Sequence, residues 1–294
     1  MTDPVTSTAR PGRRFSVGPV VPLVPFFLYT FVFLMVPTVT VIVGAFQAKD
    51  GGFSLGNIDG LWSRSALRAL RGSLIVSSVS AVVGAVVGAA LSYIVASARP
   101  TSILRRTIVA VSGVLAQFGG VTLAFAFIAT YSYAGVLTLA LRNGPGIETF
   151  SQPWLYELSG LTFVYVYFQV PLMVIVFLPA MEGIRPQWRE AAVNLGATGR
   201  QYWTQVAFPL LRPAFLGSTL LLFANAFAAY ATAAALITQG TLITPLLIRA
   251  SLISETRLGQ EKLGYALALE MIVIVALVMT SYALLLRRTA RWLR

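Results

Sequence analysis

Between residues 182 and 213 the sequence reads EGIRPQWREAAVNLGATGRQYWTQVAFPLLRP, and its residue types suit docking rather than catalysis. Pro186 fits the first turn of a helix, where its missing N–H is no loss. Trp188, Ala191, Ala192 and Leu195 follow at i, i+3, i+4 and i+7, the spacing of one apolar helix face. Glu190 lies toward the N-terminal, positive end of that helix, where a carboxylate is favoured. Gly196 stands where a C-terminal stop is expected. Thr198 with Gln201 forms a capping-box pattern that opens a second helix, with Tyr202, Trp203 and Val206 as its apolar side. Pro209 and Pro213 are expected to end it and begin the next element. The spacing thus predicts two short helices joined by a sharp turn, lying along a surface. A stiff amphipathic pair of this kind can fit a cleft on a soluble partner and pass rigid-body motion to the chain on either side. It can also simply lie on lipid headgroups.

Other chemistry is largely excluded by what the chain lacks. It has no Cys and no His, which removes thiol chemistry, disulfides, haem and histidine-ligated metals. A phosphate-binding loop needs Gly-Lys followed by Ser or Thr. The two lysines are Lys49, after Ala48, and Lys262, after Glu261, so no such loop exists. An intramembrane enzyme would need a serine with a nearby base, and no such pairing is visible. The polar groups left within apolar runs are few. Glu270, in GYALALEMIVIVAL, is the single carboxylate inside a predicted span. Intramembrane charges usually face a cavity or a partner, so Glu270 is a candidate to line a solute path and attract a cation. Gln117, Gln169 and Asn225 are the amides within spans. Tyr165 and Tyr167 flank Gln169, and Pro171 is expected to break the helix there; broken helices often border transport sites. Interhelical hydrogen bonding is the ordinary alternative for all of these groups. Gly84 and Gly88 form a GxxxG pattern, a mark of close helix packing.

The elements that must position these residues are membrane spans. Hydrophobic residues make up 57% of the 294-residue chain and charged residues 11%, against about 25% charged in soluble domains. Uncharged runs cover Gly72 to Ala98, Thr107 to Leu141, Leu158 to Met181 and Pro213 to Ile248. A helix needs roughly 20 apolar residues to cross the hydrocarbon core, and the short alternating segments of a closed barrel are missing. The expected fold is all-α and polytopic, with spans at 20–46, 72–98, 107–131, 158–181, 213–238 and 264–286. Residues 1–19 are polar and rich in Pro, Gly, Ser and Thr, and read as a disordered tail. Arg13-Arg14 resembles a twin-arginine export signal, but the apolar run behind it is too long for one. Segment 132–157 carries the turn signal Gly144-Pro145-Gly146, and segment 239–263 should be an outer loop or a re-entrant piece.

Charge gives the orientation. The net charge is +12, from 20 Arg and 2 Lys against 10 acidic residues. Cytoplasmic loops collect Lys and Arg, which accounts for the basic balance without nucleic acid. With both termini in the cytoplasm, the cytoplasmic segments hold 14 of the basic residues and the outer ones 8. Arg64, Arg68 and Arg71 fall outside, on one face of what reads as a short interfacial helix before the second span.

The order Glu190-Ala191-Ala192, three residues, Gly196, nine residues, Val206, one residue, Phe208-Pro209 resembles the EAA loop of type I ABC importer permeases. That pattern reads E-A-A, three, G, nine, I, one, L-P. Val206 and Phe208 replace the usual Ile and Leu, while the Glu, both Ala, the Gly and the Pro are kept. The likeness extends more loosely over residues 65–290, and in general appearance is nearest to the branch moving polyamines, ferric iron, thiamine and phosphonates. It implies a transmembrane permease domain over 20–294 in the cell membrane. The first short helix would be a coupling helix, inserted into a groove on a separate ATP-hydrolysing subunit. Glu190 would make a charged contact there, Gly196 would permit the turn, and Ala191, Ala192 and Leu195 would form the contact or pack internally. It further implies two cytoplasmic ATPase subunits, a second permease subunit, like or unlike, and an extracytoplasmic solute-binding protein. ATP and Mg would bind the ATPase, leaving no cofactor in this chain. The rival expectation is a self-sufficient transporter driven by an ion gradient, with Glu270 as its carrier.

Overall fold

The computed structural model describes residues 23–48, 51–99, 101–144, 153–237, 240, 243–253 and 261–290. The tail expected at 1–19, and Pro145-Gly146 of the turn signal, lie outside them. Among the described residues the chain is helical. α1 (Val24–Ala45) and α2 (Gly56–Asp59) precede the long α3 (Arg64–Ser97), followed by α4 (Ile103–Gln117), α5 (Gly120–Tyr131) and α6 (Val136–Asn143). Then come α7 (Leu158–Glu182), α8 (Pro186–Asn194), α9 (Gly199–Tyr202), α10 (Phe208–Ala228), α11 (Ala231–Leu236), α12 (Thr244–Ile253) and α13 (Glu261–Ala290). Among the described residues, six stretches are long and apolar enough to cross a membrane: Val24–Ala45, Arg64–Ser97, Gly120–Asn143, Leu158–Glu182, Gly199–Ala228 and Lys262–Leu285.

Large apolar side chains cover the outside of this bundle, among them Phe26, Phe31, Val86, Phe125 and Leu277. Hydrocarbon offers no hydrogen-bond partner, and the hydroxyls in the spans accordingly turn back on their own helices. Thr38, Thr40, Thr130, Thr162, Thr219 and Ser281 each donate to the carbonyl four residues earlier, at 2.6–2.8 Å.

The centre of the bundle is the crossing of α3 on α7. α3 presents a stripe of small buried residues, including Ser77, Ser80, Ala81, Gly84, Ala85, Gly88 and Ser92. A Cβ added at Gly84 would lie 2.5 Å from Gln169 Cβ, and one at Gly88 would lie 2.5 Å from Met173 Cβ and 2.7 Å from the Val170 carbonyl. The GxxxG pair is therefore the point of closest approach between α3 and α7. Ala81, Ala85, Met173, Phe177, Leu211 and Leu222 form one apolar core around it, joining α10 to the pair.

Four sequence expectations need correction. α7 runs unbroken from Leu158 to Glu182 with Pro171 and Pro179 inside it, because neighbouring helices tolerate a missing backbone bond in a span. The span expected at 107–131 is two helices, parted at Gly119-Gly120, where Gly120 takes φ +70°; a left-handed residue cannot continue a right-handed helix. The crossing segment begins at Gly120 and is completed by α6. The span expected at 213–238 begins earlier and stops at Ala228, before Ala229 and Tyr230 separate it from α11. Arg64, Arg68 and Arg71 sit on the first turns of α3 itself, not on a separate interfacial helix.

The segment read as loop or re-entrant piece contains α12, whose Thr244, Pro245, Leu246, Leu247 and Ser251 are buried. α12 runs antiparallel to the start of α13. Ser251 and Leu252 lie over Gly264, while Leu247 and Leu267 share a core with Ala66 and Ala69.

Candidate functional site

The 182–213 segment folds as two short helices. Pro186 occupies the first turn of α8 and Arg185 is its N-cap. Gly196 takes φ +78°, a conformation that a Cβ would penalise. The chain turns there, with the Gly196 N–H donating to the Val193 carbonyl and the Ala197 N–H to the Ala192 carbonyl. Thr198 and Gln201 make the full capping box: Thr198 Oγ1 accepts from the Gln201 N–H at 3.3 Å, and Gln201 Oε1 accepts from the Thr198 N–H at 2.7 Å. Beyond Tyr202 the helix does not end. Residues Trp203–Ala207 form a π-helical turn, in which the Phe208 N–H reaches the Trp203 carbonyl, and α10 continues from it. The expectation that Pro209 and Pro213 separate the second short helix from the span is thus corrected. A proline has no N–H to give, and the wider turn just before Pro209 absorbs the change of register.

The predicted apolar face of α8 divides. Ala192 is buried with Tyr202 and Ala207, and Trp188 is half-buried. Glu190 and Ala191 are exposed, and Leu195 is 87% exposed. Val193, at 59% exposed, faces the pocket lined by Arg189 and Trp203 instead. It lay off the stripe read from periodicity and carried no signal of its own. At the same end of the bundle Arg105, from the first turn of α4, pairs with Glu182 at the end of α7. These two are 77 residues apart in sequence, so no local pattern announces the pair.

The six polar residues singled out within the spans do not form one cluster; Gln117 lies exposed at the end of α4. Tyr165 is buried, and its hydroxyl donates to the Ala229 carbonyl at 2.5 Å, just past the end of α10. Gln169 is fully buried, and its Nε2 donates to the Leu222 carbonyl at 2.7 Å, while its Oε1 has no partner. Both side chains lock α7 to α10. Tyr167 faces elsewhere: it lines a groove of about 710 Å³ between α4, α5 and α7, floored by Phe127, Phe163 and Pro171. Asn225 is exposed on α10. Glu270 is half-buried on α13, and its Oε2 is buried without a hydrogen-bond partner. Thr244 is buried at the start of α12. Thr244 Oγ1 is likewise unpartnered, and the Thr244 N–H donates to Ser73 Oγ at 2.8 Å. Sequence reading missed Ser73 and Thr244, since nothing local marks a serine and a threonine 171 residues apart as neighbours. Among the described residues no group of His, Cys, Asp or Glu is placed to hold a metal ion.

No protein-family model matches the chain. Curated relatives do. The chain is 28% identical over 206 residues to the putative ferric transport system permease protein FbpB 1 of Haemophilus influenzae, a match covering 68% of this chain and 31% of that one. It is 25% identical over 277 residues to the sulfate transport system permease protein CysW of Synechococcus elongatus, covering 90% and 88% of the two chains. Among solved structures, a bacterial ABC transporter that imports the polysaccharide alginate superposes with a TM-score of 0.70 at 18% identity, over 94% of this chain and 97% of that one. The methionine ABC transporter MetNI superposes at 0.58 with 17% identity, over 79% and 98%. By these matches the chain is similar to permease subunits of ABC importers. The match spans about a third of the length of that ferric permease, whereas CysW aligns along nearly its whole length. The all-α architecture with six candidate spans among the described residues agrees with the sequence reading, and the fold is shared with ABC transporter structures at 17–18% identity.

Proposed function

We propose that the chain is the membrane-spanning subunit of an ATP-driven importer, that α8 is its coupling helix, and that the α8 end faces the cytoplasm. One observation carries this reading. The outward surface of α8 displays Glu190 and Ala191 to solvent, with Leu195 just beyond its end. An exposed apolar patch beside a single charge marks a contact surface, and Leu195 would rest there against nothing unless a partner covered it. The turn at Gly196 and the capping box at Thr198 hold that surface rigidly on a rod continuous with α10. Push on α8 is therefore push on a span.

In this reading the motor is a pair of ATPase subunits with their own ATP and Mg, and the chain itself carries out no covalent chemistry. A second permease subunit completes the path, and an extracytoplasmic binding protein delivers the solute. The candidate solutes are polyamines or other small organic cations, phosphonate, thiamine and iron. Ferric, thiamine and sulfate permeases are all among the relatives. Glu270, whose Oε2 is buried without a partner, is the candidate to meet a solute inside the bundle, and Asn225 and Tyr167 are further candidates.

Glu190→Lys reverses the charge on α8 without touching its buried side. The variant should insert normally, yet lose most ATPase recovery in a pull-down and most uptake in vesicles. Normal recovery together with normal uptake would remove the coupling role. Uptake driven by an ion gradient in vesicles containing this chain alone would instead favour the self-sufficient carrier with Glu270 at its centre.

A further inference from the structure

The α8 end of the bundle contains a second, independent feature. Behind α8, on the side away from Leu195, lies a pocket of about 520 Å³. Its walls are the last turn of α3, the end of α7, and the α8–α9 turn. Arg185 and Arg189 line it from α8, with Ser97 as a further polar group and Met181 as part of an apolar floor. Tyr93 and Trp203 form its side wall, packed edge to face with ring centroids 5.2 Å apart. No acidic side chain lines it. Neither guanidinium has an ion pair or hydrogen bond among the described residues; Glu182, the nearest carboxylate in sequence to Arg185, is taken by Arg105.

We infer that this pocket holds the phosphate headgroup of an anionic phospholipid. The level is right, because α3 ends at Ser97 and α7 at Glu182, and a lipid phosphate lies where spans end. Aromatic residues such as Tyr93 and Trp203 favour that same interfacial zone. Two unpaired arginines suit a phosphodiester, which each can meet with a fork of donors, and basic pockets between spans are lipid-headgroup sites by the same logic. The apolar floor decides the source. Met181 and its neighbours give a glycerol backbone and the start of an acyl chain something to rest on, which a free phosphate ion would not use. The inference does not depend on any ATPase binding α8.

The test is native mass spectrometry of the purified full chain in micelles containing equal mole fractions of phosphatidylglycerol and phosphatidylcholine. The wild type should retain phosphatidylglycerol in clear excess. The double variant R185Q/R189Q should lose that excess by about tenfold, while R64Q/R68Q, at the other end of α3, should keep it. Equal retention of the two lipids by wild type, or an undiminished excess in R185Q/R189Q, overturns the site. If the double variant does not fold, the single changes Arg185→Gln and Arg189→Gln are read the same way, and an unchanged excess in both overturns it. Inorganic phosphate added at the same concentration should not displace the lipid. Full displacement by phosphate would make this a small-ion site and overturn the lipid assignment.

Discussion

Tyr165 and Gln169 stand one turn apart on α7, and each hydrogen-bonds a carbonyl of the neighbouring strand of chain. The Ala229 carbonyl lies where α10 has stopped and α11 has not begun, so the tyrosine supplies a donor that no helix provides. Tyr165→Phe keeps the ring and its packing but leaves that carbonyl without its donor. A loss of about 1 kcal/mol follows, to be read as a lower melting temperature in detergent, with uptake altered far less than stability. Glu270 belongs to a different class. Its Oε2 is buried and unpaired, a costly arrangement that persists where a site needs it. Glu270→Gln should change solute affinity or preference in reconstituted vesicles; unchanged uptake kinetics would reduce the residue to packing. From sequence, Gln169 and Glu270 looked alike, as lone polar groups in apolar runs. What separates them is the element each faces, and that depends on chain tens of residues away.

Among elements, the α3–α7 crossing has the least room for change. Gly88→Ala would force a methyl into contact with Met173 and the Val170 carbonyl. Overpacking of this kind costs about 1–3 kcal/mol, and a larger loss of thermal stability is expected at Gly88 than at Gly113, whose Cβ would meet open space. The GxxxG spacing marked α3 as a closely packed helix without naming its partner. The capping box at Thr198 and the stop at Gly196 were legible too, because they depend on residues within one turn of each other. The proline positions misled. Pro171 and Pro213 both lie inside helices, since in a bundle other helices support what proline removes. The actual breaks fall at Gly119-Gly120, which had a glycine signal, and at Ala229-Tyr230, which had none.

For the whole molecule, long apolar runs with few charges were enough to indicate six spans, because the demand of hydrocarbon for apolar length outweighs any tertiary detail. Their pairing was not readable, since almost every face of every span is apolar. Orientation rests on the bias of arginine between the two ends. The chain has no cysteine, so single cysteines report cleanly. With the α8 end in the cytoplasm, Gln187→Cys in intact cells should resist a membrane-impermeant maleimide until the cells are opened, and Gly52→Cys should react at once. The reverse pattern would invert the topology and place α8 out of reach of any cytoplasmic motor.

The π-helical turn at Trp203–Ala207 has one further consequence, which concerns angle. Each residue of an α-helix rotates the chain by about 100°, and a π turn stores one residue more than the regular winding would. That surplus sets the azimuth of Tyr202 and Trp203 relative to α10. Deleting a single residue from it would restore ordinary winding at the expense of the aromatic seat against Tyr93, and Glu190 would then point along a different compass bearing.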